Sequence, residues 1–169
     1  MKSKLLTLAA ALVLAAACSS EPDSEPVVTS DAGQTTTTAP DVASVQSYAP
    51  GSVDEFVAEV GDRVFFGYDR YDLTPEAQSV LQRQVAWLNS YPQHRIVVEG
   101  HCDERGTREY NLALGERRAN AQANYMVALG LDPNRIVQVI SYGKERPAVL
   151  GSDETAYAQN RRAVTVLSQ

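Results

Sequence analysis

Asp103, Asn111, Leu114 and Arg118 are the residues of this chain whose types and spacing could do chemistry. Asn111, Leu114 and Arg118 are spaced by three and four positions and so share one face of a helix. Helical side chains lean toward the N-terminus, which lets Arg118 reach back along that face. Ahead of it is a polar loop, Gly100 to Gly106, holding His101, Asp103, Glu104 and Arg105. An acid and an arginine beside a helix start with free backbone N–H groups suit a ligand that carries an ammonium and a carboxylate together. Asp103 would take the ammonium, and Arg118 would grip the carboxylate through two parallel hydrogen bonds. The same two side chains could instead pair with each other and simply order the loop. Spacing leaves both readings open.

The elements that must hold these residues are readable on either side. Arg95-Ile-Val-Val-Glu99 is a short β-branched run, which predicts a strand emptying into the loop. Thr107 begins a long helix-compatible segment that Gly130 ends. Upstream, Ser52 caps a short helix over 53–60, and Arg63-Val-Phe-Phe66 is the first strand. The polar stretch Tyr68 to Asp72 then leads to Thr74-Pro75-Glu76, a helix start with cap, first-turn proline and early acid all present. That helix runs to about Ser90 and stops before Pro92. Downstream, Asp132-Pro133 turns the chain, Arg135 to Ser141 is a β-branched strand, 153–158 is a short helix, and Arg162 to Leu167 is the last strand. The order β-α-β-α-β-(α)-β predicts an α/β fold of the α+β sandwich kind, a four-stranded mixed sheet with two main helices on one face.

The rest of the chain reads as delivery. Met1-Lys-Ser-Lys4 and the apolar run Leu5 to Ala17 form an export signal over 1–17, too short to cross roughly 30 Å of hydrocarbon as a helix. Ala15-Ala16-Ala17-Cys18 resembles a lipoprotein processing site, at which Cys18 is acylated and becomes the new N-terminus. Leu14 stands one place earlier than the leucine usual in such sites. From 18 to 52 the chain is rich in Ser, Thr, Ala and Pro, with five acids and no Lys or Arg before Gly51. Its few apolar residues show no periodicity, so a disordered tether is expected, with a root-mean-square reach of about 30–35 Å. The folded domain is expected over 53–169. A net charge of −6 argues against a nucleic-acid surface.

Several stretches together are similar to a known family. Gly100-His-Cys-Asp-Glu-Arg-Gly-Thr107, Tyr110-Asn111 and Leu114-Gly-Glu-Arg-Arg-Ala119 resemble the OmpA-like peptidoglycan-binding domain. The likeness extends through Phe66 to Asp72, Ser141 to Gly151 and Asn160-Arg-Arg-Ala-Val164. The resemblance implies that the ligand is the diaminopimelate of the peptidoglycan stem peptide, with Asp103 as the acid contact and Arg118 as the arginine contact. It implies that the Phe66-to-Asp72 loop is the other wall of the pocket, with backbone around Asp69 touching the ligand. It also places Asn160-Arg161-Arg162 beside the pocket, and Arg162 is the arginine expected to support it. With Ser19 after the cysteine, the family's sorting rule implies the outer membrane, the domain facing the periplasm. Expected protein partners are TolB and TolA of the Tol system, with roles in envelope integrity and cell division.

Catalysis finds little support in the residues. His94 and Cys102 would lie roughly 26 Å apart if one strand carried both, beyond any Cys–His pairing. His101 and Asp103 share a face, yet a zinc site needs a third ligand that nothing indicates. Neither an enzyme nor a metal or other cofactor is expected. Cys102 reads as a small residue rather than a redox centre. A second reading is an envelope protein-interaction domain with a structural Asp–Arg pair and no direct peptidoglycan ligand.

Overall fold

The computed structural model describes residues 47–168. The export segment expected over 1–17, the acylation expected at Cys18 and most of the tether expected over 18–52 lie outside the described residues.

Ser52 accepts a hydrogen bond from the Glu55 N–H and so starts α1 (Val53–Glu55), which widens into a π-helical turn, Phe56–Val60. The sequence predicts one helix over this span. At the change in winding Phe56 is buried against Trp87, with ring centroids 4.8 Å apart. Glu55 Oε2 accepts from the Gly51 N–H at 2.7 Å and from Trp87 Nε1 at 2.9 Å. The acid thus ties the helix start to the core.

Strand β1 (Arg63–Phe65) leads through the 66–73 loop to α2 (Pro75–Ser90), whose start is as expected: Thr74 Oγ1 caps Ala77 N–H and Pro75 opens the first turn. Its far end is closed by Arg135, whose guanidinium donates to the carbonyls of Leu88, Tyr91 and His94. Strand β2 (Arg95–His101) runs two residues past the expected Glu99. Gly100 and His101 still pair, Gly100 with Ser141 and Ala163 and His101 with Gly143, so the loop begins only at Cys102. Thr107 caps α3 (Arg108–Ala128). After a 3-10 turn at Pro133–Arg135 come β3 (Ile136–Gly143), α4 (Glu154–Asn160, capped by Asp153) and β4 (Arg162–Ser168).

The four strands lie in the order β1-β4-β2-β3. β4 runs antiparallel to both neighbours and β2 parallel to β3, the mixed sheet predicted. Alternation along the strands sends Val64, Ile96, Val98 and Ala163 to the helix side, where they meet Leu81, Leu88, Ala119, Ala123 and Met126. Each large side chain fully buried here contributes about 1.5–3 kcal/mol. Under the helices, Gln122 donates to Thr165 at 2.6 Å and Thr165 to Gln84 at 2.7 Å, so the polar groups crossing the core are linked.

One contact sets the geometry of everything near the loop. Helix α3 crosses β2 backbone against backbone at Gly115 and Gly100, where a Cβ on Gly100 would overlap the Gly115 carbonyl. That approach lays the first half of α3 over the end of β2. Leu114 and Arg118 are thereby brought down onto the strand end that carries Cys102 and Asp103.

Candidate binding site

A cavity of about 180 Å³ opens where the β2–α3 loop, the first three turns of α3 and the β1–α2 loop meet. Asp103, Arg105, Asn111, Leu114, Arg118 and Asp69 line it, with Tyr68, Tyr110, Cys102 and Gly106. Both residues singled out by spacing therefore face one space, and they do so without bonding to each other.

Arg118 is fully buried. Its Nε donates to the Arg70 carbonyl at 2.8 Å, Nη1 to that of His101 at 2.8 Å and Nη2 to that of Gly67 at 3.1 Å. Of five N–H donors, three are spent on backbone, which leaves one on each terminal nitrogen for another acceptor. The guanidinium also lies over the Phe66 ring, 5.3 Å from its centroid. Burial lowers its pKa from the usual arginine value, although Cys102 and Asp103 oppose the shift. Arginine begins so high that it stays charged. Asp103, also in the cavity wall, accepts from Arg105 Nη2 at 2.6 Å and from the Arg105 N–H at 3.2 Å, and Arg161 Nη1 lies 3.4 Å away. Burial alone pushes Asp103 up; the bonds from Arg105 and Arg161 outweigh it and hold the carboxyl below its ordinary range. The cavity wall thus holds a buried cation, a buried anion with Arg105 on it, and the apolar Leu114.

The remaining expected residues divide. Asn111 lines the cavity, but its side-chain N–H groups are used on the carbonyls of Arg105 (2.8 Å) and Thr107 (3.0 Å), clamping the loop to the helix. Asp69 lies at the rim with a left-handed backbone, φ 55°, rare outside glycine, and accepts from the Tyr110 hydroxyl. Phe66 is not a wall. It is a buried core residue beneath Arg118, because β1 delivers it to the helix side of the sheet. Arg162 is also displaced from the expected place: it opens β4 pointing to the opposite face, bonded to the carbonyls of Asn160 and Arg146. The arginine that meets the acid is its neighbour Arg161, which also donates to the Phe66 carbonyl at 3.0 Å and pairs with Glu154 at 2.7 Å.

Arg105, Tyr68 and Tyr110 were not singled out by spacing. For Arg105 a signal was present, since Asp103 two residues ahead is placed to accept its N–H in a local turn. Cys102 is buried and donates to the Asn111 carbonyl at 3.3 Å; burial pushes its thiol up to about 11, so it sits protonated as a small filler. Among the described residues no group of His, Cys, Asp and Glu could hold a metal ion.

Known proteins share this sequence and this fold. A model of the OmpA family matches residues 65–161. The peptidoglycan-associated lipoprotein of Mesorhizobium japonicum is 54% identical over 119 residues, 70% of each chain. That of Agrobacterium fabrum is 52% identical over 121 residues, 72% of this chain and 68% of the relative. Among solved structures, the peptidoglycan-associated lipoprotein from Burkholderia pseudomallei superposes with a TM-score of 0.64 at 39% identity, covering 68% of this chain and 98% of that one. The C-terminal domain of Helicobacter pylori MotB, at 19% identity and a TM-score of 0.59 over 64% of this chain and 84% of that one, shares the fold.

Proposed function

The chain belongs to the OmpA family, among the peptidoglycan-associated lipoproteins, and from that membership we propose that it is a non-catalytic link between the outer membrane and the cell wall. Acylated Cys18 anchors it, residues 19–52 span the gap, and the domain faces the periplasm. There the cavity takes the free end of a diaminopimelate residue of the peptidoglycan stem peptide. Asp103 receives the ammonium, the two remaining N–H groups of Arg118 receive the carboxylate, and Leu114 lies under the carbon chain.

The observation that carries this reading is that Asp103 and Arg118 flank one cavity with opposite charge while bonding to other groups. A structural Asp–Arg pair, the alternative reading, would use them on each other. Tethering supplies the rest. A domain held at the membrane meets many identical ligands in the wall, so a weak pocket still gives lasting attachment. By the same family reasoning, TolB and TolA are protein partners, in support of envelope integrity and cell division.

Pull-down on purified sacculi tests the pocket. Asp103→Ala should weaken binding by about a hundredfold, the scale of a lost partly buried charge-assisted bond. Equal retention of wild type and variant would end the proposal. Mass spectrometry of the mature N-terminus, expected to begin at a diacylglyceryl Cys18, tests the anchor.

A further inference from the structure

Asp103 has a cation on it already. We infer that Arg105 is a specificity-determining residue of this site: its guanidinium occupies the ammonium position on Asp103, and a ligand amine binds by exchanging with it. The inference rests on the function proposed above and concerns the manner in which that ligand enters.

Three observations carry it. The first is position. Arg105 Nη2 lies 2.6 Å from Asp103 Oδ2 and Arg105 lines the cavity itself, so the acid cannot accept an incoming amine without sharing or losing that bond. The second is that the guanidinium is incompletely satisfied where it lies. Nε is buried with no hydrogen-bond partner, and Nη1 is 3.6 Å from Glu154 Oε2, too long for a hydrogen bond. A buried N–H without an acceptor is a cost that leaving would relieve. The third is that only the side chain needs to move. The Arg105 carbonyl is held by Asn111 at 2.8 Å and its N–H by Asp103 at 3.2 Å, while Lys144 Nζ holds the carbonyls on both sides, Glu104 at 3.1 Å and Gly106 at 2.7 Å. The guanidinium itself is sandwiched between the rings of Tyr68 (4.2 Å) and Tyr157 (4.4 Å), and the side chain is one-third exposed. Glu154, 3.6 Å from Nη1, is a second carboxylate on which Arg105 can rest.

The exchange explains how a site for an ammonium stays intact when empty. A buried carboxylate left with only the Arg105 N–H at 3.2 Å and Arg161 at 3.4 Å would be poorly compensated, and breaking such a pairing is costly. Swapping one cation for another keeps the charge balance constant at every stage. A ligand whose amine is acylated brings no cation and leaves Arg105 in place. The arrangement therefore taxes binding of the amine and stabilises the empty protein.

The variant Arg105→Gln separates this from a merely structural role, because the two predict different signs. With meso-diaminopimelic acid as the probe, calorimetry on Arg105→Gln should show binding about tenfold tighter than wild type, the scale of one charge-assisted bond no longer displaced. Its melting temperature without ligand should fall. A structural role would lower both. In the wild-type protein, the Arg105 Nε–Hε resonance should shift on titration with the same midpoint as the Leu114 methyl resonances. Wild-type binding with weaker binding by Arg105→Gln, or a Leu114 response with a still Arg105 signal, overturns the inference alone. No binding by wild type or variant overturns the proposed function and this inference together.

Discussion

At the end of β2 the chain places two charged clusters on opposite faces of the sheet, each built around an acid and arginines. On the helix side, Asp103 meets Arg105 and Arg161 in the wall of a cavity that Arg118 also lines. On the other side lies His101, which alternation would have put on one face with Asp103 but which the end of β2, with its register shift at Gly100, separates from it. His101 is 3.5 Å from Glu99 and is covered by Tyr142, over whose ring Arg146 stacks at 3.7 Å. His101 is 1% exposed and neither ring nitrogen has a well-formed hydrogen bond, whereas each charged group on the cavity side makes at least one, Arg105 leaving only its Nε without an acceptor. The cavity side is charged, compensated and open; the other is sealed. Polar residues at a strand end mark a binding site when they are paired and still have donors or acceptors to spare, and mere clustering of titratable groups does not.

The largest effect that would break this comparison is loss of Arg118. Arg118→Ala leaves the carbonyls of Arg70, His101 and Gly67 without their donor and opens a hole beneath the β1–α2 loop. A loss of about 4 kcal/mol in urea unfolding is expected. A loss under about 1 kcal/mol would mean that the cavity wall is not built on this residue.

Acid should separate the two faces. Burial lowers the His101 pKa to about 4, with Arg162 and Arg146 adding repulsion. A histidine depressed in the folded state favours folding fully above its unfolded value near 6.5 and less as pH falls toward 4. That amounts to about 2 kcal/mol lost between pH 8 and pH 5. Asp103 is depressed as well, but from a carboxylate's starting value, so its contribution is lost only near and below pH 4. Stability should therefore decline below pH 6.5 while Asp103 remains ionised and able to hold an amine. His101→Phe should flatten unfolding stability between pH 8 and pH 5. A persistent slope in that variant would assign the acid sensitivity elsewhere.

Much of this was readable from local signals. Caps at Thr74 and Thr107, Pro75 at a helix start and alternation along β2 each have a cause within a few residues, and those elements appear close to where they were expected. The convergence of Asp103 and Arg118 on one cavity was legible for the same reason, since helical lean is a property of the backbone. What Arg118 bonds to was not, because the Gly67 and Arg70 carbonyls come from a loop about fifty residues earlier that only the fold brings near. Phe66 reads from the sequence as the last residue of the first strand, and in the structure, just past β1, it shares the buried side with Val64 rather than the pocket wall that the resemblance implies.

The assignment of Arg161 and Arg162 failed for a subtler reason, and it yields the finest test. Both belong to one motif, and choosing between them requires knowing that β4 starts at Arg162, which sends consecutive side chains to opposite faces. Arg161 lies by Asp103 and Arg162 near His101, so each helps depress the pKa of a different group. NMR titration should show Arg161→Gln raising the Asp103 pKa and leaving His101 alone. Arg162→Gln should raise His101 and leave Asp103 alone. These effects are the smallest expected here, since burial is the largest influence on both groups, but their independence is the sharpest statement of the comparison. A change at both sites from either substitution would show that the sheet does not insulate them. The cavity and the buried histidine would then titrate as one coupled cluster, and acid would weaken ligand binding over the same range in which it weakens the fold.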